Sequence, residues 1–161
     1  YCIPKYQNLS EGFIREFKDK VNWYCIPKYQ NLSEGFIREF NISIDPDNWL
    51  YWNRDQKIEA VKNSPYEFDG EYLYAFKAVK KDFHSVYNFR FQYLPGQTFE
   101  TRCDCTDNEN SFGFSGWTKE KALEYHNKGK IIKMKIHIDD LGRIIEGYKL
   151  RCKRFEALEE V

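Results

Sequence analysis

Apolar residues near the start of the chain recur at the spacing of short helices, and they do so twice. Residues 1–17, YCIPKYQNLSEGFIREF, return without a change as residues 24–40. Ser10 is a suitable N-cap for a helix whose apolar stripe follows it. That stripe consists of Phe13, Ile14 and Phe17. The spacing predicts two short helices in each copy, and only helices and turns across residues 1–62.

The two copies start 23 residues apart, and a fixed period of that size is typical of a repeat array. A third, degenerate unit follows, in which Asn48-Trp49 stands where Asn22-Trp23 stood. An atypical last unit is characteristic of a capping repeat. Because the first copy begins without an Asn-Trp pair, further units are expected upstream.

Stacked repeats should bury equivalent residues equally. The predicted equivalent pairs are Phe13 with Phe36, Ile14 with Ile37, and Phe17 with Phe40. The first copy has no preceding unit in this sequence, so its first residues should be the more exposed ones. The residues compared are Tyr1, Cys2 and Ile3 with Tyr24, Cys25 and Ile26.

Beyond residues 64–70 the apolar spacing changes to that of strands. Aromatic and β-branched runs predict strands at residues 72–79, 86–94, 97–105, 130–138 and 148–158, the last with a bulge between Arg154 and Phe155. Thr118 caps a helix that Gly129 ends. The predicted fold is α+β: about two and a half helical repeats over residues 1–63, joined to a mainly antiparallel sheet domain with one helix over residues 68–161.

Charge and composition exclude several classes of function. Lys and Arg number 25, and Asp and Glu also number 25, so no net charge favours nucleic acid or an anionic membrane. No apolar run approaches the roughly 20 residues that a membrane helix needs. We therefore expect no membrane partner and a cytoplasmic protein of a bacterium or an infected host cell. The odd number of cysteines, 5, indicates reduced thiols rather than a disulfide framework.

The repeated segment resembles a short helical repeat of bacterial, phage and giant-virus proteins, with the pattern W-x-x-I-x-x-Y-Q-x-L-S-E-x-F-I-x-E-F. The residues that carry the pattern here are Trp23, Ile26, Tyr29, Gln30, Leu32, Ser33, Glu34, Phe36, Ile37, Glu39 and Phe40. What the resemblance implies is architecture, since no activity is attached to these repeats.

Residues 103–158 resemble a domain of phage proteins, including the rIIB type, and of pentapeptide-repeat proteins. The matching positions are Cys103, Gly113-Phe114, Ala122-Leu123, Asp139-Asp140-Leu141, Lys149, Arg151, Phe155 and Glu156. The family's usual histidine is missing, because Ser115 follows Gly113-Phe114. This resemblance implies no catalytic residue.

Two groups of potential metal ligands are weak candidates. Cys103 and Cys105, with Cys152 and either His126 or His137, have ligand types that suit zinc, but C-x-C is a poor chelating spacing. The acidic loop that begins at Asp104 lacks the ligand spacing of a calcium loop. We therefore predict no metal and no cofactor.

Two surfaces are candidates for partner binding. The aromatic group Trp49, Tyr51 and Trp52 closes the repeat array and suits a protein contact. Alternation along a strand places Lys149, Arg151 and Lys153 on one face, which suits RNA as well as a protein.

The leading hypothesis is a non-enzymatic binding protein of phage or mobile-element type, with a protein partner such as a host defence protein. One alternative is a nucleotide-acting enzyme of ADP-ribosyltransferase-like layout, which needs polar groups converging around residues 113–117. The other alternative is an RNA-binding module.

Overall fold

The structure is a computed structural model that describes residues 2–125 and 128–161. Its first part, residues 2–62, contains only helices and turns, as predicted, and is called the helical arm below. The helices of the arm are α1 (Ile3–Tyr6), α2 (Glu11–Glu16), α3 (Cys25–Tyr29), α4 (Glu34–Glu39), a 3-10 helix (Trp49–Tyr51) and α5 (Arg54–Lys62).

Both copies of the repeated segment fold into the same pair of helices. The hydroxyl of Ser10 accepts the Phe13 N–H at 3.1 Å, and that of Ser33 accepts the Phe36 N–H at 3.2 Å. These bonds satisfy one of the N–H groups that a helix start leaves unpaired, so the predicted N-caps are confirmed. The third unit keeps a different bond, that of its Asn-Trp pair: the Asn48 side chain accepts the Leu50 N–H, as the Asn22 side chain accepts the Tyr24 N–H.

A disulfide joins Cys2 to Cys25, with their Cα atoms 6.2 Å apart. The prediction that all the cysteines are reduced was therefore wrong. The two cysteines are equivalent positions separated by one repeat period, and stacking α1 beside α3 brings equivalent positions together. An odd number of cysteines does not exclude a disulfide, because one pair can form while three thiols stay free.

The exposure expected at the start of the array is confirmed for two of its three positions. Ile3 is 53% exposed whereas Ile26 is fully buried, and Cys2 is more exposed than the buried Cys25. The third position, Tyr1, lies outside the described residues. Equal burial of equivalent stripe residues holds for Phe17 and Phe40, which are both half-buried. It was wrong for the other two pairs, since Phe13 is 44% exposed and Phe36 fully buried, while Ile14 is fully buried and Ile37 is not.

The rest of the chain forms an antiparallel sheet with one helix on it, which confirms the α+β fold class. Its strands are β1 (Glu67–Phe68), β2 (Tyr72–Val79), β3 (Thr98–Glu100), β4 (Phe114–Trp117), β5 (Lys130–His137), β6 (Leu141–Ile145), β7 (Lys149–Cys152) and β8 (Arg154–Glu160). The strand order is β3-β8-β5-β2-β4-β7-β6, and β1 pairs with β2. A 3-10 helix, Ile138–Asp140, links β5 to β6.

Three predicted strands differ from the structure. Residues 86–94 form turns and one isolated bridge, because the Ser85 and Asn88 side chains bond nearby backbone N–H groups. Of residues 97–105, only those of β3 pair with a neighbouring strand, β8. The last predicted strand is interrupted at Lys153, one residue before the predicted bulge, and forms β7 and β8.

Helix α6 (Lys119–Tyr125) packs on β2 and β4, and the Thr118 hydroxyl caps it by accepting the Lys121 N–H. The predicted end of this helix adjoins residues 126–127, which lie outside the described residues. Alternate side chains of β5 fill the core of the sheet, as predicted: Ile132, Met134 and Ile136 are fully buried. No helix within the described part of the chain is long and apolar enough to cross a bilayer.

Candidate functional site

The aromatic group predicted for partner binding packs inside the molecule. Trp49 is buried in the core of the sheet, and its ring stacks on Trp52 with 4.1 Å between the ring centroids. The Tyr51 hydroxyl donates to the Gln30 carbonyl within the arm. The prediction of a surface at these three residues is corrected: they join the arm to the sheet, because large rings at the end of the array are covered by the domain that follows it.

The basic face predicted on the last strands is absent. Arg151 is fully buried and Lys149 is buried, so only Lys153 of the three is exposed. The Arg151 guanidinium donates to four backbone carbonyls, those of Asp104, Thr106, Asn108 and Glu109. The loop of residues 104–109 therefore covers the face that alternation places outside, and the sheet surface proposed for RNA does not form.

A cleft of about 920 Å³ opens where β2, β4 and β7 meet the loops of residues 85–93 and 109–113. We call it the lysine cleft, because Lys77 of β2 and Lys149 of β7 both line it. Its volume is within the range of small-molecule sites. Gly113, Phe114, Ser115 and Trp117 line it, in the segment where the nucleotide hypothesis required converging polar groups.

Lys77 enters the cleft from the middle of β2. Strand alternation places it on the same face as Leu73, Ala75 and Val79, so its amine is carried in among core residues. Its Nζ donates to the Ser115 carbonyl at 2.6 Å and lies 5.2 Å from the Tyr93 ring centroid. Burial lowers the pKa of Lys77 to about 8.

Lys149 approaches the same place from β7, where Trp117 is its cross-strand partner. Its Nζ donates to the Glu109 carbonyl at 2.7 Å and lies 5.8 Å from the Trp117 ring centroid. Lys77 Nζ lies 5.4 Å from the same centroid. Burial, followed by the nearby Arg151 charge, lowers the pKa of Lys149.

Neither ammonium forms an ion pair with a carboxylate of residues 2–125 or 128–161; each donates to a neutral carbonyl. The third lysine that lines the cleft, Lys121, is different, because its Nζ bonds the Glu124 carboxylate at 2.8 Å. Two buried cations without a carboxylate partner are unusual, since a buried charge is costly unless it is paired.

Aromatic rings form the walls of the cleft. Trp117 and Tyr125 stack with 4.9 Å between centroids, and Tyr87 reaches Tyr125 at 5.7 Å. On the opposite side, Phe91 and Tyr93 lie parallel at 5.9 Å. Rings on both sides suit a flat group, and ring faces also stabilise the lysine ammoniums.

The loop that forms one side of the cleft is fixed from within. The Asp104 carboxylate accepts the Thr106 N–H at 2.8 Å and the Ser111 hydroxyl at 2.5 Å, which organises the loop around Arg151. Gly113 has a φ of +120°, and a Cβ there would lie 2.7 Å from the Arg151 side chain. Glycine is therefore needed for the loop to close over the arginine.

The candidate metal ligands do not converge. Cys152 is buried in the sheet core, His137 lies on β5, and Cys103 and Cys105 line a separate pocket beside the arm. His126 lies outside the described residues. Among residues 2–125 and 128–161, no three side chains of His, Cys, Asp or Glu are grouped so as to hold a metal ion.

The sequence did contain a signal for the cleft. Lys77 stands at an inward position of a correctly predicted strand, between two small apolar residues, Ala75 and Val79. A lysine in that phase indicates a buried amine. Lys149 was assigned to an outer face, because the loop of residues 104–109 that covers this face is distant in sequence.

Known proteins provide no guide to this cleft: comparisons with family models, with curated proteins and with solved structures found no match to the chain.

Proposed function

We propose that this protein is a binding protein whose lysine cleft takes a small anion carrying a flat aromatic group, which is the chemistry of a nucleotide. The observation that carries the proposal is the position of Lys77 and Lys149. Both ammoniums are buried, both border one cleft, and both lie within 6 Å of the ring centroid of Trp117.

The charge of the ligand follows from the cost of burying these amines. Burial lowers the pKa of Lys77 and of Lys149, so the surroundings of both amines disfavour their charged forms. A phosphate or carboxylate between them would supply the missing counter-charge and accept their N–H groups. Binding an anion therefore stabilises both ammoniums at once.

The aromatic part of the ligand follows from the walls. Trp117, Tyr125, Phe91 and Tyr93 all line the cleft, and the exposed Tyr87 borders it beside Tyr125. Base–aromatic stacking contributes about 1–3 kcal/mol per base in nucleic-acid sites. A nucleobase and its phosphate together match the rings and the lysines of the cleft.

The position of the cleft also supports the alternative of a nucleotide-acting enzyme, since residues 113–117 line it. The lysines of the cleft can donate hydrogen bonds and balance the charge of an anion. Both properties serve ligand binding. We therefore propose binding as the function, with Lys77 and Lys149 as anion-binding residues and the stacked pair of Trp117 and Tyr125 as the aromatic contact for the base.

The test is calorimetric titration with three probes: adenosine 5′-monophosphate, adenosine and inorganic phosphate. The monophosphate should bind more tightly than either part alone, because it uses both the rings and the lysines. Lys77→Met and Lys149→Met should each weaken its binding by about tenfold or more, which corresponds to about 1.4 kcal/mol. Lys81→Met, the same change at an exposed lysine, is the control and should leave binding unchanged.

Three results would contradict the proposal. The first is equal affinity for adenosine and its monophosphate, which would remove the role of the lysines. The second is an equal loss in Lys81→Met and Lys77→Met. The third is no binding of any probe by protein whose urea midpoint shows that it is folded.

A second function, protein binding by the arm, is supported by a groove of about 530 Å³ along the second copy. Trp23, Tyr24 and Phe40 line it together with Arg143 from the sheet, and Tyr24 is 76% exposed. The protein partner of the leading sequence hypothesis, such as a host protein, is assigned to this groove. This groove replaces the aromatic group of Trp49 as the candidate contact surface.

The arm can be tested with a photo-crosslinking residue at position 24 in the source cell. Crosslinks to one defined protein are expected from position 24, and far fewer from position 89, where the exposed Phe89 provides a matched control away from the groove. Equal, diffuse crosslinking from both positions would contradict the second function.

A further inference from the structure

Two thiols border a pocket that the lysine cleft does not include. It has a volume of about 540 Å³ and lies between the arm and β6. Cys103, Cys105 and Lys57 all line it. We call it the thiol pocket.

The thiol of Cys103 occupies a space that two glycines leave open. A Cβ added at Gly142 would lie 2.4 Å from its Sγ, and one added at Gly113 would lie 3.0 Å from it. The distance at Gly142 is shorter than real Cβ contacts, so any larger residue there would displace the thiol, whereas the contact at Gly113 would be tight. The sulfur also lies 3.7 Å from the Asp104 carbonyl, to which it can donate.

Lys57 brings a positive charge to the pocket from α5. Its Nζ donates to the Leu141 carbonyl at 2.9 Å, and it forms no ion pair with any carboxylate of the described residues. The nearby Asp139 is engaged elsewhere, because its carboxylate accepts from Arg54 at 2.9 Å. The charge of Lys57 is therefore left to act on the thiols.

The two thiols divide one proton unequally. Hydrogen bonding between the two side chains raises the pKa of Cys103 and lowers that of Cys105. Burial opposes the lowering at Cys105, and Lys57 and Arg151 assist it, while Asp104 opposes it. A thiolate beside a cation and a thiol donor is the usual environment of a reactive cysteine.

We propose that Cys103 and Cys105 form a reactive dithiol that is oxidised by small-molecule disulfides, with Cys105 as the attacking sulfur and Cys103 as the resolving one. The Cys105 thiolate attacks a disulfide RSSR, forms a Cys105–SR bond and releases RS⁻. The Cys103 thiol then loses its proton to solvent and attacks the Cys105 sulfur. A Cys103–Cys105 disulfide forms and a second RS⁻ leaves, so RSSR is reduced to two thiols as the protein loses two electrons and two protons.

Cys152 provides a control within the same chain. It is fully buried in the sheet core, and burial raises its pKa to about 12. Cys2 and Cys25 are already bonded to each other. Cys152 is therefore expected to remain a free thiol under conditions that oxidise the pair.

The experiment treats the whole protein with oxidised glutathione at neutral pH and maps the products by mass spectrometry. The native protein should lose two hydrogens at Cys103–Cys105, whereas Cys103→Ser should accumulate one glutathione on Cys105. The reaction of Cys105→Ser should be slower by about tenfold or more. Lys57→Met should slow the reaction, while Lys62→Met, an exposed lysine of the same helix, should not.

Two outcomes would overturn the dithiol. One is modification of Cys152 as fast as Cys105. The other is a Cys105→Ser variant that reacts at the native rate. Because these products form at thiols, their absence would leave the nucleotide titrations of the lysine cleft unaffected.

Discussion

The two copies of the repeated segment have the same sequence and different surroundings. Their internal geometry is the same, because Phe13 and Phe17 lie 4.6 Å apart between centroids and so do Phe36 and Phe40. In the second copy Trp23 stacks over Phe40 at 5.0 Å. The difference therefore lies in what covers each copy rather than in how it folds.

Each unit has two apolar faces, and only one face of each copy meets the other copy. Ile14 of the first copy and Phe36 of the second are both fully buried in one shared cluster. Their equivalents are less buried: Phe13 is 44% exposed, and Ile37 is only partly buried at the edge of the same cluster. Position in the stack, rather than residue type, decides which phenylalanine and which isoleucine carries the stability.

The largest expected effect is at Phe36. Phe36→Ala should destabilise the protein by about 3–5 kcal/mol, because it empties a fully buried aromatic site. Phe13→Ala should cost roughly 1 kcal/mol, because nearly half of its side chain is already in water. Urea midpoints of the two variants measure the difference, and a larger loss at Phe13 would contradict the stacked arrangement.

The next largest effect is expected in the first copy, at Ile14, instead of in the second. Ile14→Ala should cost about 2–5 kcal/mol and Ile37→Ala clearly less, because here the first copy holds the buried residue. Denaturant unfolding of both variants measures this. A larger loss in the second copy at both the phenylalanine and the isoleucine position would contradict this account. Fraying of the first copy would then explain the data, without units that have two apolar faces.

Gln7 and Gln30 are equivalent glutamines of the two copies, and they also differ in burial. The Gln30 side chain accepts the Leu9 N–H at 2.7 Å and donates to the Pro4 carbonyl at 2.6 Å, so it ties the copies together. Gln30→Ala should cost about 1–3 kcal/mol, since it leaves buried backbone groups unpaired. The equivalent Gln7 is exposed, and Gln7→Ala should change stability by less than about 0.5 kcal/mol. Equal losses would show that Gln30 is not a bridge.

The smallest effect should be equal in both copies. Ser10→Ala and Ser33→Ala each remove one cap bond within a single helix and should each cost about 1 kcal/mol. Melting temperatures of the two variants should therefore agree. A cap at Ser33 worth several times that at Ser10 would mean that the copies do not share one local structure.

What the sequence could predict was what depends on near neighbours. The serine caps, the strand at residues 72–79 and the inward stripe of β5 follow from spacing alone, and all are confirmed. The exposed Ile3 followed from its place at the start of the array. These features need only the residues within a few turns or along one strand.

What the sequence could not predict depends on segments that meet from a distance. Periodicity identifies the Phe13 stripe as apolar but not whether a neighbour covers it. Alternation places Arg151 on the outer face, but the loop that buries it comes from residues 104–109, more than 40 positions away. The lysine cleft was missed for the same reason, because it forms from β2, β4, β7 and two loops.

The charge of Lys77 tests the proposed function most directly. Burial lowers its pKa to about 8, and an anion bound beside it should raise the pKa toward its ordinary value of 10.5. An NMR titration of the labelled lysine side chain, assigned with Lys77→Met, measures both values. We expect a pKa near 8 in the free protein and a clear rise with saturating adenosine 5′-monophosphate. An ordinary pKa in the free protein, or no change with the nucleotide bound, would contradict a buried, unpaired cation that awaits an anionic ligand.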